Sequence, residues 1–241
     1  MKGTRGTERS GLSAKVAQYL VDHINEKQLK SGDKLPSEIR IGSELKVSRG
    51  VVREAYHSLQ TAGIIEISNG RSPSVGKLKN EAFTQLLCHA LSTEQVSPYQ
   101  VLELRCAVEV HAAELAASNR TEGHVKGLQK EVEGMRQTLL DHGRFVRHDV
   151  RFHEIIGKAT SNRLFEIISE SLRGALEDSV RAGLRSRTTE VQMARVVDTH
   201  EAIAEAIGNR QVSTVGHLMA VHFDEAKNAL RNALKTARTA S

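Results

Sequence analysis

The chain has 241 residues (26.5 kDa) and is 39% hydrophobic, enough to bury two cores, and no apolar run approaches eighteen residues. With no charged-then-apolar leader at Met1 either, a transmembrane helix and a secretory signal are excluded, and a soluble, cytoplasmic protein is expected. The net charge of +5 is lopsided: residues 1–78 hold 13 Lys/Arg against 8 Asp/Glu, the remainder 21 against 21, so the first third is the part that would attract a polyanion such as DNA.

Residues 1–10, MKGTRGTERS, mix Gly, Thr and charge without periodicity and read as a flexible basic arm. From Leu12, apolar residues at Val16, Tyr19, Leu20 and Ile24 recur at helical spacing up to a turn at Ser31-Gly32-Asp33. Leu35-Pro36-Ser37-Glu38 then reads as a turn with Ser37 as N-cap of a short helix through Ile41 and Leu45. Ser48 is placed to cap a third helix, Arg49 to Ala62, with Val52, Tyr56 and Leu59 facing inward. Two short helices joined by a tight turn have the spacing of a helix-turn-helix, and Arg49 and Arg53, one turn apart at the start of the second, can reach the same groove of a duplex. After Gly63, IIEISNGRSPSV offers β-branched residues around an Asn69-Gly70 turn and predicts a small hairpin, which completes a winged helix.

These residues, LPSE followed by LKVSRGVVREAYHSLQTAGIIEISNGRSPSV, resemble the DNA-binding domain of the GntR transcription regulators over almost all of residues 11–78. The resemblance implies that Ser48, Arg49, Gly50 and Arg53 contact phosphates and bases of double-stranded DNA, with Asn69, Gly70 and Arg71 carrying the wing tip to the minor groove. One position departs from the family pattern: where LPSER is usual, this chain has Ile39 and places arginine only at Arg40. Without the resemblance, the same arginines read as solvated helix charges.

Beyond Val75 no strand alternation occurs. Helical periodicity recurs through residues 79–241, with breaks near Ser97-Pro98, Ser118-Asn119, His142-Gly143, Ser161-Asn162, Gly183 and Gly208-Asn209, which predicts six or seven helices in an antiparallel all-α bundle. The expected fold is mainly α: an N-terminal winged helix-turn-helix plus this bundle.

Within the bundle, RHDVRFHEII (Arg147–Ile156) sets two acids and two histidines into one helix. On a helical wheel with Asp149 at zero, His153 falls at about 40° and Phe145, Phe152 and Ile156 at about 300° to 340°, whereas Arg147, Arg151, Glu154 and Lys158 fall opposite. Asp149 and His153 therefore sit at the apolar face, and a buried carboxylate there calls for a cationic or hydrogen-bonding partner. His200 and His222 also share faces with apolar neighbours. One reading is a hydrogen-bonded polar seam. The other is a His₃Asp set suited to a divalent metal ion such as Zn, Ni or Mn, with room for a further ligand.

ELRCAVEVHAAELAA, HDVRFHEIIGKATSN, HEAIAEAI and MAVH resemble the helical effector domain of the FadR-like GntR subfamily, the FCD domain. The resemblance implies that Asp149, His153, His200 and His222 are metal ligands and that Arg105 meets the carboxylate of an organic-acid effector; a surface salt bridge is the other account of Arg105. His148 and His217 are read as edge residues. The expectation is a homodimeric repressor on a near-palindromic operator, controlled by a small carboxylate effector. A metal-free regulator of the acyl-CoA-binding kind and a metal-dependent hydrolase are the alternatives.

Overall fold

A computed structural model describes residues 4–68, 72–185, 187 and 189–239. The chain divides into two compact units, Met1–Ala82 and Phe83–Ser241.

In the first unit, α1 (Thr4–Glu26), α2 (Glu38–Leu45) and α3 (Arg49–Thr61) precede a hairpin of β1 (Ile65–Glu66) and β2 (Ser74–Val75). Val16 and Leu20 of α1, Ile41 of α2 and Val52, Tyr56 and Leu59 of α3 are all buried in one apolar cluster, with Leu35 and Ile65 closing it. Each helix contributes residues one turn apart, so each presents a stripe to a shared core. The Tyr56 hydroxyl donates to the Pro36 carbonyl at 2.6 Å, which satisfies the single polar atom that this ring carries into the core. Ser37 caps α2, its hydroxyl accepting from the Arg40 N–H at 3.3 Å. The same helix ends on Lys46 in the left-handed region (φ 54°). Ser48 occupies the N-cap of α3, but only its carbonyl serves the helix, accepting from Val51 and Val52; its hydroxyl takes no part in the cap.

The hairpin pairs antiparallel, Ile65 with Val75 and Glu66 with Ser74, and Lys34 bridges to Ser74 on the other side. Asn69, Gly70 and Arg71, the expected wing tip, lie outside the described residues. The expected arm differs from the structure: α1 already begins at Thr4. No proline interrupts residues 4–11, and a helix nucleated by the Val16 and Leu20 stripe propagates through polar residues at little cost per residue.

The second unit is helical throughout its described residues. It comprises α4 (Glu81–Ser92, beginning at the boundary), α5 (Pro98–Asn119), α6 (Glu122–Arg136), α7 (His142–Ala159), α8 (Arg163–Ala175), α9 (Glu177–Arg185), α10 (Glu190–Gly208) and α11 (Val212–Thr239). Ser97 and Gln100 form a capping box ahead of Pro98. Asp141, Asn162 and Thr189 cap α7, α8 and α10. The break expected near Gly183 falls just after it, between Arg185 and Glu190. Gly183 itself is buried and stays helical against α11, where an added Cβ would meet the Ala229 Cβ at an ordinary contact distance of 3.7 Å. The chain also breaks at Leu176, which is not among the expected breaks, so α8 and α9 are separate and the count exceeds the expected six or seven.

Helix α5 packs against α7, α8, α10 and α11. Its fully buried Ala112, Ala113, Ala116 and Ala117 keep that helix thin enough for its neighbours to approach. Among the described residues no helix is long and apolar enough to cross a membrane.

Candidate functional site

On the first unit, Arg49 and Arg53 are exposed on α3, with Ser48 exposed beside them. Together with Glu38, Ile39 and Gly50 the two arginines line one concavity at the N-terminal end of α3. Neither guanidinium is needed for the fold, since the inward face of α3 is made of Val51, Val52, Ala55, Tyr56 and Leu59.

The second unit places its charge inside. Asp149 and His153 of α7, His200 of α10, Arg105 and Glu109 of α5 and Arg173 of α8 are all buried. His222 of α11 is half-buried. One ring nitrogen from each of His153, His200 and His222 lies within 4.8 Å of the others. Asp149 lies beside this trio rather than within it: its Oδ1 is 3.1 Å from His200 Nε2 and 3.9 Å from His153 Nε2, while its Oδ2 accepts from an Arg173 N–H at 2.8 Å. Arg173 is the cationic partner that the buried carboxylate required.

The tautomer of His200 is set from behind. Its Nδ1 lies 2.7 Å from the Val196 carbonyl, which can only accept, so Nδ1 carries the hydrogen. In a neutral ring Nε2 then presents a lone pair to the Asp149 carboxylate, an arrangement that requires a proton or a cation between them. His153 Nε2 has no hydrogen-bond partner although it is buried in the same cluster. Its Nδ1 is in ion-pair contact with Glu109, whose other oxygen holds Arg105. A backbone carbonyl and a carboxylate thus stand behind two of the three histidines, as the outer partners of metal-ligating imidazoles commonly do.

Burial pushes His153 down to about 4, Glu109 only partly offsetting it. Burial likewise holds the His222 imidazole well below its usual range, and the neighbouring His200 and His153 act in the same direction. For Asp149 burial works towards protonation, but the Arg173 guanidinium above all holds the carboxyl well below its ordinary value. Neutral His153 and His222 rings beside an ionised Asp149 are in the protonation states that metal ligands need. The donor set therefore fits a divalent cation.

Beside this cluster lies a small cavity of about 60 Å³; Asp149, His222, Arg105 and Arg187 reach it, and Leu102, Leu176, Leu184 and Phe223 form much of its apolar wall. Arg105 is not the surface residue of the alternative account. It is 4% exposed, paired with Glu109, and its guanidinium lies over the Phe223 ring at 5.1 Å. Sequence reasoning missed Glu109, Arg173 and Arg187. Glu109 was within reach of it, being one turn from Arg105 on the same face of α5; Arg173 and Arg187 had no spacing that tied them to α7. His148, read as an edge residue, pairs with Glu131 at 2.7 Å, on the side of α7 that meets α6.

Residues 12–75 match the gntR family of bacterial regulatory proteins, and residues 100–225 match the FCD domain. The chain belongs to the GntR family and carries an FCD domain. Among its relatives, the HTH-type transcriptional regulator LutR of Bacillus subtilis is 28% identical over 211 residues, covering 86% of this chain and 95% of LutR. The HTH-type transcriptional repressor NanR of Citrobacter rodentium is 27% identical over 223 residues (91% and 85% of the two chains). The Glc operon transcriptional activator of Escherichia coli is 29% identical over 203 residues (81% and 79%). A solved Streptococcus agalactiae GntR structure shares the fold, with a TM-score of 0.56 at 23% identity over 90% of this chain and 99% of that one. These relatives are transcriptional regulators rather than enzymes, so this GntR-family chain is a transcriptional regulator whose winged helix-turn-helix binds DNA.

Proposed function

We propose that this regulator is a cytoplasmic homodimeric repressor whose hold on a near-palindromic operator is controlled by a small carboxylate effector at a metal site in the FCD domain. The observation that carries the reading is the convergence of one ring nitrogen from each of His153, His200 and His222 within 4.8 Å, with the Val196 carbonyl holding His200 Nδ1 from behind and Nε2 of His153 left without a partner. Asp149, His153, His200 and His222 would hold a divalent ion of the Zn, Ni or Mn kind. When bound, the ion supplies a Lewis-acidic anchor for a carboxylate oxygen. Arg105 would offer its remaining N–H groups to the same carboxylate from the cavity wall. The aliphatic wall favours an effector with an apolar part.

In the first unit, Arg49 and Arg53 would reach base edges while the Ser48 hydroxyl, unused by its own helix, and the Gly50 backbone approach phosphates. Asn69, Gly70 and Arg71 would extend the contact into the minor groove. Two-fold symmetry would match two half-sites, and a coupling of about 1 to 3 kcal/mol between effector and DNA would change operator affinity roughly 5- to 150-fold.

Elemental analysis of protein purified without chelators, paired with an Asp149→Ala, His153→Ala double variant, tests the metal. Near-stoichiometric metal is expected in the first and none in the second. Absence from both samples would replace the metal site by a hydrogen-bonded seam closed by Arg173. Repression is tested by a reporter behind a selected operator, whose expression should rise when the regulator is deleted; a fall would make it an activator.

A further inference from the structure

The residue at the mouth of the DNA-facing concavity that no polar role accounts for is Ile39. It stands at the second position of α2 and is 62% exposed, yet it lines the same concavity as Arg49, Gly50 and Arg53. The neighbouring Arg40 does not substitute for it. One residue on, Arg40 is turned about 100° round the helix, and its Nε is 3.9 Å from Glu44 Oε2 on the next turn of α2. Besides the Glu38 carboxylate, the DNA-facing end of this helix-turn-helix therefore offers two guanidiniums and one aliphatic side chain. In the major groove, guanidiniums suit the acceptor edge of guanine, whereas the one apolar group that a base presents there is the C5-methyl of thymine.

We infer that Ile39 is a specificity-determining residue that reads a thymine methyl in each half-site, next to the bases read by Arg49 and Arg53. The inference rests on the DNA-facing role proposed for α3. A β-branched side chain near the start of a helix has few rotamers to lose on contact, and its exposure in the free protein leaves the whole of its tip to be covered by the base. Burying one methyl group is worth about three- to fourfold in affinity.

The test uses full-length protein and an operator selected from a random duplex library. Each thymine is then replaced singly by deoxyuridine, which removes the methyl and keeps the pairing. One position per half-site should weaken binding about three- to fourfold. Ile39→Ala should lose sensitivity at that position while keeping its response to changes at the guanines, and Ile39→Arg should select guanine there instead of thymine. Both substitutions are at an exposed position, and circular dichroism checks that the variants are folded. Selected duplexes that show no uracil-sensitive position, or the same sensitivity in wild type and Ile39→Ala, would overturn the inference while leaving the DNA-binding reading intact. Failure to select any duplex would overturn both.

Discussion

The two units keep their charges in opposite places. Among the described residues of the first, the buried polar groups are the Tyr56 hydroxyl and Ser13, whose hydroxyl bonds to the Ser10 carbonyl and to Glu54, and the arginines stand outside an apolar core. In the second, Arg105, Glu109, Asp149, His153, Arg173 and His200 lie inside and neutralise one another. A surface charge is free to meet a ligand without supporting the fold. An interior charge does both, because each partner removed leaves another stranded in a medium of low polarity.

The largest expected effect breaks the interior set. Asp149→Ala strands Arg173 and should destabilise the metal-free protein by about 3 to 5 kcal/mol in urea denaturation, whereas Arg53→Ala on the outer face should leave the same curve almost unmoved. Equal losses would erase the distinction between the units. Next is a purely steric test of the first unit. An added Cβ at Gly76 would stand 2.3 Å from the Gly63 carbonyl oxygen, a backbone atom with no rotamer to move, so Gly76→Ala should lower stability by about 1 to 3 kcal/mol by thermal melting, without altering metal content.

Arg49→Ala then sharpens the contrast from the functional side. Operator affinity should fall by about 1 to 3 kcal/mol in a footprint titration while the melting temperature stays put; unchanged affinity would mean that the N-terminal end of α3 does not face the bases. The smallest effect is local. Ser97→Ala removes one arm of the capping box that starts α5 and should cost about 1 kcal/mol in a denaturation midpoint, leaving the buried network in place.

The two units were also unequally legible. Ser37, Arg49, Arg53 and the inward face Val52, Tyr56 and Leu59 were readable directly, because helix periodicity and capping are local and neighbours in sequence are neighbours in space. In the second unit the wheel placed Asp149 and His153 on the inward face of α7 and the later histidines on theirs, and it called for a cationic or hydrogen-bonding partner for Asp149. It did not supply Arg173, which comes from another helix at a sequence distance of 24 residues. Leu176 shows the same limit: the break between α8 and α9 falls on a leucine, a residue without turn chemistry of its own.

By itself, then, the sequence determined the two-module organisation, the helix-turn-helix with its arginines, and the inward placement of one aspartate and three histidines, since all of these follow from periodicities within single elements. Only the tertiary structure decided that the three imidazoles converge within 4.8 Å, that Val196 and Glu109 stand behind two of them, that Arg173 neutralises Asp149, and that Ile39 rather than Arg40 shares the concavity with Arg49 and Arg53. Those facts depend on how separate helices are rotated and packed against one another, and packing is settled by the whole core at once.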